Sequence, residues 1–263
     1  MQNLIENTPV IILCGGKGTR LSEETSLTPK PLIRLDKYAI IYHIIQIYIK
    51  NGFKNFIILS GFKHDKVKKY FQHELPKTLK QKIITSKNDK STFIYNNFKI
   101  KIFNTGLNTL TGARILKCKN ILKNNKYFAV TYGDGLSNIN IKKVFNKLFK
   151  SKNHGIMCIS NPNERFGNVK IKKNLVTKFD EKKIDKKKWI NIGFFIFKNK
   201  FFSYLNNKSM LENSPLKKIT KNKKLMFHKH KGFYHCIDYL NEKKEAQNFI
   251  KTYKLPPWLD KIV

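Results

Sequence analysis

Short apolar runs separated by polar, glycine-rich stretches recur along this chain, and they predict the buried strands of a largely parallel sheet. Residues 10–13 (VIIL), 56–59 (FIIL), 127–132 (YFAVTY), 155–160 (GIMCIS) and 191–197 (NIGFFIF) read as strands covered on both faces. Residues 98–103 alternate instead, with Lys99 and Lys101 between Ile100 and Ile102, which predicts a strand with one wet face. Helical patterns fill residues 40–50, 65–73, 111–122, 140–151 and 241–251, the first stopped by Asn51-Gly52. Ile83 and Ile84 begin a further strand, residues 88–97 read as a polar loop, 175–179 alternate, and 232–238 end in one more strand. Strand, helix, strand, helix at this spacing suits right-handed crossovers, hence an α/β fold with a doubly wound, mostly parallel sheet and small antiparallel additions. Residues 1–263 read as one domain, with 1–8 an N-terminal extension and 250–263 a tail. Leu255-Pro256-Pro257-Trp258 in that tail is expected to dock on the body or on a neighbouring subunit.

With 263 residues, 41% of them hydrophobic, the chain can bury a substantial core, which argues against disorder. No stretch approaches the ~20 apolar residues of a membrane helix. Residues 1–8 also lack the basic and apolar segments of a secretion signal, so a cytoplasmic protein without membrane association is expected. Fifty-three Lys and Arg oppose seventeen Asp and Glu, a formal charge of +36 that raises the question of nucleic acid. The lysines, however, are spread through nearly every segment, and arginine stands only at positions 20, 34, 114 and 165. The excess therefore reads as compositional drift, no nucleic-acid partner is expected, and the field favours small polyanions such as nucleotides. Cys14, Cys118, Cys158 and Cys236 are too widely spaced for a zinc or disulfide framework. His228 and His230 share a strand face without a completing Cys or Asp, and read as core or surface residues.

The chemistry concentrates after the first strand, in residues 10–32, VIILCGGKGTRLSEETSLTPKPL. Gly15, Gly16 and Gly18 leave no side chain between backbone N–H groups and a bound anion. Arg20 adds a planar donor fork and Lys30, held between Pro29 and Pro31, a compact charge, so phosphate is the expected guest. The spacing is neither the Walker loop nor the dinucleotide fingerprint. Asp134 lies between Gly133 and Gly135 at the end of a predicted strand, where open α/β sheets bind ligands. Asp134 and Asp238 each precede a predicted helix, so capping is the plain alternative for both, and Thr111, Gly112 and Arg114 open a helix of their own.

GGKGTRL followed by PKPL resembles the sugar-1-phosphate nucleotidyltransferases; the intervening SEET, with Cys14 before the glycines, resembles more narrowly the glucose-1-phosphate cytidylyltransferase group. The resemblance runs from Val10 to about Phe249, with six motifs in order. It implies a Rossmann-like nucleotidyltransferase fold and the joining of CTP to α-D-glucose 1-phosphate, giving CDP-glucose and pyrophosphate for dideoxysugar or surface-polysaccharide synthesis such as that of O-antigen. It implies a catalytic set of Arg20, Lys30 and Asp134, and nucleotide contacts from Leu13, Gly15, Gly16, Gly18, Thr19, Arg20, Lys30, Thr111, Gly112 and Arg114. Sugar-phosphate contacts would come from Glu181, Lys182, Asn191 and Gly193, with Mg²⁺ held by Asp134 and Asp238 in a homo-oligomer. Ala113, Lys183 and Ser214 depart from the family's glycine, proline and glutamate. A related pyrophosphorylase using another nucleotide or sugar phosphate keeps the same scaffold, and a non-catalytic sugar-nucleotide or polyanion-binding protein would bind CTP without releasing pyrophosphate.

Overall fold

The computed structural model describes residues 1–86, 89–161, 168–172, 175–180 and 188–260. In chain order its strands are Pro9–Cys14 (β1), Asn55–Ser60 (β2), Ile84–Ser86 (β3), Asp89–Ile94 (β4), Lys99–Asn104 (β5), Tyr127–Tyr132 (β6), Gly135–Ser137 (β7), Gly155–Ser160 (β8), Asn168–Lys172 (β9), Leu175–Asp180 (β10), Ile190–Lys198 (β11), Leu225–Lys229 (β12) and Tyr234–Cys236 (β13). Among the described residues, nine of these strands form one sheet in the order β12-β8-β11-β6-β1-β2-β5-β4-β3. At its centre β1 pairs in parallel with β2 and β6, and β2 with β5; β11 enters antiparallel between β6 and β8. The doubly wound, mostly parallel sheet is the architecture that the run pattern implies. Two short antiparallel ladders, β9 with β10 and β7 with β13, are its additions.

Every residue of β1 is buried, and its alternate side chains enter opposite layers. Val10 and Ile12 join the layer that holds the helix Ile40–Lys50, while Ile11 and Leu13 meet Ile115, Phe128, Val130 and Phe195 on the other face. Isoleucine is a weak helix former, so packing rather than propensity sustains that helix, which buries Ile40, Ile41, Ile44, Ile45 and Ile47. The N-terminal extension is a short helix, Gln2–Glu6, anchored by buried Ile5.

Two expectations are corrected. Residues 88–97 do not all loop out: β4 occupies Asp89–Ile94, antiparallel to β5, because Phe93 and, just beyond the strand, Tyr95 bury themselves among polar neighbours and supply the inward alternation that polar composition hides. The helix expected over 111–122 ends as Thr111–Leu116. Beyond it the backbone tightens into three-residue bonds, Cys118 N–H to Ile115 O (2.9 Å) and Lys119 N–H to Leu116 O (2.9 Å). Buried Cys118 and Leu122 preserve the apolar period that suggested a longer helix. The tail docks on the body: Trp258, 1% exposed, packs edge-on against His43 and tilted against Phe233. No helix among the described residues is long and apolar enough to cross a membrane.

Candidate active site

From the carboxyl end of β1 the chain goes to β2 on one side, while β6 lies on the other, the point at which open α/β sheets form a crevice. A cleft of about 530 Å³ opens there, within the usual range for a small-ligand site. Leu13, Gly15, Gly16, Gly18, Arg20, Lys30, Thr111, Arg114, Asp134, Asn191, Gly193 and Asp238 all line it. Gly16 faces open space, and Gly18 adopts φ +68°, a left-handed turn that swings the chain toward Arg20. Thr19 is an exposed residue of the single turn Thr19–Leu21, whose Leu21 is buried. Gly112 does not reach the cleft wall; its Cα packs against Ser209, whose Cβ would stand 2.8 Å from an added methyl. Glu181 and Lys182 lie outside the described residues.

Asp134 and Asp238 meet because β7 and β13 form a ladder, Gly135 opposite Cys236, and Ile237 N–H donates to Asp134 O at 3.0 Å. Neither aspartate serves as a helix cap. Glu242, inside the last helix Leu240–Thr252, accepts the N–H groups of Asp238 (2.6 Å) and Tyr239 (3.0 Å) and so takes over the capping work, while the Asp238 carboxylate turns to the cleft. Lys30 comes from the single turn Lys30–Leu32. Pro31 covers Gly133, where a Cβ would lie 3.0 Å from its ring, so the missing side chain brings Lys30 close to Asp134.

Lys30 Nζ donates to Asp134 Oδ2 at 2.6 Å and to Asp238 Oδ1 at 2.7 Å, and Arg20 reaches Asp238 Oδ2 at 2.8 Å. Burial alone would lower the Lys30 pKa, but the Asp134 carboxylate and then Asp238 outweigh it, so its ammonium holds its proton above the ordinary lysine value. Asp134, Cys236 and Asp238 bring one donor atom each within 4.8 Å of one another, and the two carboxylates are the hard oxygen donors that a divalent cation would need.

Glu212, also in the cleft lining, links the helix Thr111–Leu116 to the end of β6. Its carboxylate accepts the Thr111 hydroxyl at 3.0 Å and the Tyr132 phenol, and Asn191 Oδ1 accepts Gly193 N–H at 2.9 Å beside them. Burial, then the Glu212 charge, pushes the Tyr132 phenol well above the ordinary tyrosine range. The sequence does not place Tyr132 or Cys236 in the site, and offers Glu212 only as the start of residues 212–216, ENSPL, which resemble a degraded form of the family's Glu-x-Glu-Pro-Leu. Cys236 had a signal in its i, i+2 spacing from Asp238, and Tyr132 stands two residues before Asp134; Glu212 is brought in by a distant loop.

Comparison with known proteins adds a family. The family model described as Nucleotidyl transferase matches residues 9–260. A Bacillus subtilis (strain 168) protein named "Probable glucose-1-phosphate cytidylyltransferase" is 37% identical over 240 residues, covering 87% of this chain and 90% of its own. The Salmonella typhimurium (strain LT2) protein named "Glucose-1-phosphate cytidylyltransferase" is 30% identical over 254 residues, covering 94% and 97%. A solved structure of UDP-glucose pyrophosphorylase complexed with UDP-glucose superposes with a TM-score of 0.67 at 17% identity, over 94% of this chain and 99% of that one. That last likeness is one of fold.

Proposed function

Because the chain belongs to the nucleotidyl transferase family, we propose that its cleft joins CTP to α-D-glucose 1-phosphate, releasing pyrophosphate and leaving CDP-glucose. Activity of the sugar-phosphate nucleotidyltransferase type is the broader reading that the relatives support; the particular nucleotide and sugar rest on their names. One observation supports the reading most: Arg20, Lys30, Asp134 and Asp238, spread over the chain, meet in a single crevice beside the glycine turn.

In this reading no protein nucleophile acts. An oxygen of the sugar phosphate attacks the α-phosphorus in line, the new P–O bond forms, and the bond to the β-phosphate breaks as pyrophosphate departs. The protein contributes alignment and charge stabilisation. Backbone amides over residues 15–19 and the exposed Arg20 fork would hold the triphosphate. Lys30 would turn its ammonium from the carboxylates to the α-phosphate, and Asn191 would offer an uncharged amide to sugar hydroxyls. Asp134 and Asp238 would hold Mg²⁺, whose chemistry there is to neutralise charge on the phosphates.

The test is pyrophosphate release measured with CTP, UTP, GTP and dTTP, each against glucose 1-phosphate and other sugar 1-phosphates. Release with CTP and glucose 1-phosphate above all other pairs is expected. Preference for another pair replaces the substrate assignment but keeps the reaction; CTP binding with no release from any pair points to a sensor.

A further inference from the structure

Arg114 is the one cation lining the cleft that has no charged partner among the described residues. It is 4% exposed. Its guanidinium donates to Gly15 O (3.1 Å), Ser60 O (3.2 Å), Gly106 O (2.8 Å), Leu107 O (3.0 Å) and the Thr105 hydroxyl, five neutral acceptors. Those acceptors lie at or just past the carboxyl ends of β1, β2 and β5, three adjacent strands of the sheet. One side chain therefore ties three strand ends together from behind the glycine turn.

The room for it comes from two glycines. A Cβ on Gly15 would overlap Arg114 Cζ and Nη1, and one on Gly61 would stand 2.6 Å from Nη1. A flexible side chain ordinarily moves away from such a contact. This one is buried and bonded on both terminal nitrogens, so moving it strands polar groups that water cannot reach. Gly15 thus has a different task from the neighbouring glycines: a Cβ on Gly16 would meet nothing within 4 Å among the described residues, and Gly18 serves its turn.

We infer that Arg114 is a positioning residue, which locks the Gly15 carbonyl so that the amides after it face the nucleotide, and that Gly15 lacks a side chain to admit this guanidinium rather than a phosphate. Its buried charge, met among the described residues by carbonyl and hydroxyl dipoles, leaves the floor of the loop positive and draws the triphosphate toward it. The nucleotide role rests on the function proposed above; the lock does not.

The experiment is a cycle of Gly15→Ala, Arg114→Ala and the double variant, read as unfolding midpoint without nucleotide and as CTP affinity by calorimetry. Each single substitution is expected to lower the midpoint and to weaken CTP about tenfold or more, the scale of a lost hydrogen bond to a charged group. Adding Arg114→Ala to Gly15→Ala is expected to raise the midpoint again, because the overlapping group is gone. A midpoint that falls further in the double variant overturns the inference. If Gly15→Ala alone does not fold, recovery of folded protein in the double variant supports the lock and continued failure overturns it. Arg114→Lys, which keeps the charge without the fork, is expected to recover only part of the CTP affinity lost in Arg114→Ala; wild-type affinity in that variant overturns the positioning role. A wild-type protein indifferent to CTP sinks the proposed function, and the midpoint cycle still decides the lock.

Discussion

Arg114 and Lys30 both bring positive charge to the same cleft, yet the protein surrounds them in opposite ways. The arginine is fastened by neutral carbonyls and a hydroxyl, so its charge stays unbalanced and its position fixed. The lysine lies between two carboxylates at 2.6 and 2.7 Å, so its charge is balanced and its partners can be exchanged. The first arrangement suits a scaffold. The second suits a group that changes partners during a reaction, because any cation that engages Asp134 and Asp238 frees Lys30 for an anion. Leaving one carboxylate of a shared pair without its cation is costly at such burial, which makes the exchange tightly coupled.

The comparison can be broken at several points. Asp134→Asn removes one of the two groups that hold Lys30 and would hold the metal; turnover is expected to fall on the order of 10³-fold or more with the circular dichroism spectrum unchanged, and near-normal turnover would contradict its role. Lys30→Met is expected to lower kcat about 10²–10³-fold. In nucleotide-free protein the same change should tighten Mn²⁺ binding, followed by electron paramagnetic resonance, because the competing ammonium is gone; unchanged or weaker binding would show that Lys30 is not the exchangeable partner.

A buried cation without countercharge also has a control elsewhere. His228 is 5% exposed and its Nδ1 meets no hydrogen-bond partner among the described residues, and burial, then Lys147, His230 and Lys143, pull its pKa from 6.5 to about 4. Unlike arginine, imidazole can answer burial by losing its proton. The unfolded chain therefore binds the extra proton first. Stability is complete above pH 6.5 and declines as pH falls toward 4, by on the order of 3 kcal/mol in total. His228→Gln should flatten that limb of the unfolding curve, and an unchanged limb would assign it to other groups. The smallest effect is expected at Arg20, whose side chain is 60% exposed. Arg20→Ala should raise the KM for CTP about tenfold while shifting stability by less than ~1 kcal/mol.

Much of the sheet was legible because its central strands are buried on both faces, which forces unbroken apolar runs such as residues 10–13 and 56–59. β4 was not, since this edge-region strand and the residue after it bury only two large apolar side chains, Phe93 and Tyr95, while Ile94 is exposed and the rest is polar. The glycine turn, Arg20 and Lys30 stood out by local spacing. The task of Gly15 did not: the group that fills its space comes from a helix about a hundred residues away, and a vacant Cβ reads alike whether a phosphate or a guanidinium occupies it. Cys236 and Tyr132 face the cleft through strand pairing, and the degraded ENSPL stretch does not show that Glu212 meets Tyr132 by a long-range hydrogen bond.

By itself, then, the amino-acid order determined which segments bury themselves and where a phosphate-sized turn follows a strand, because burial and turn chemistry act over a few neighbouring residues. The tertiary structure alone decided that the β7–β13 ladder sets Asp134 beside Asp238, that Glu242 relieves Asp238 of capping, and that one guanidinium fastens three strand ends. Those outcomes depend on distances between groups far apart in the chain, and such distances exist only once the sheet has closed around its core.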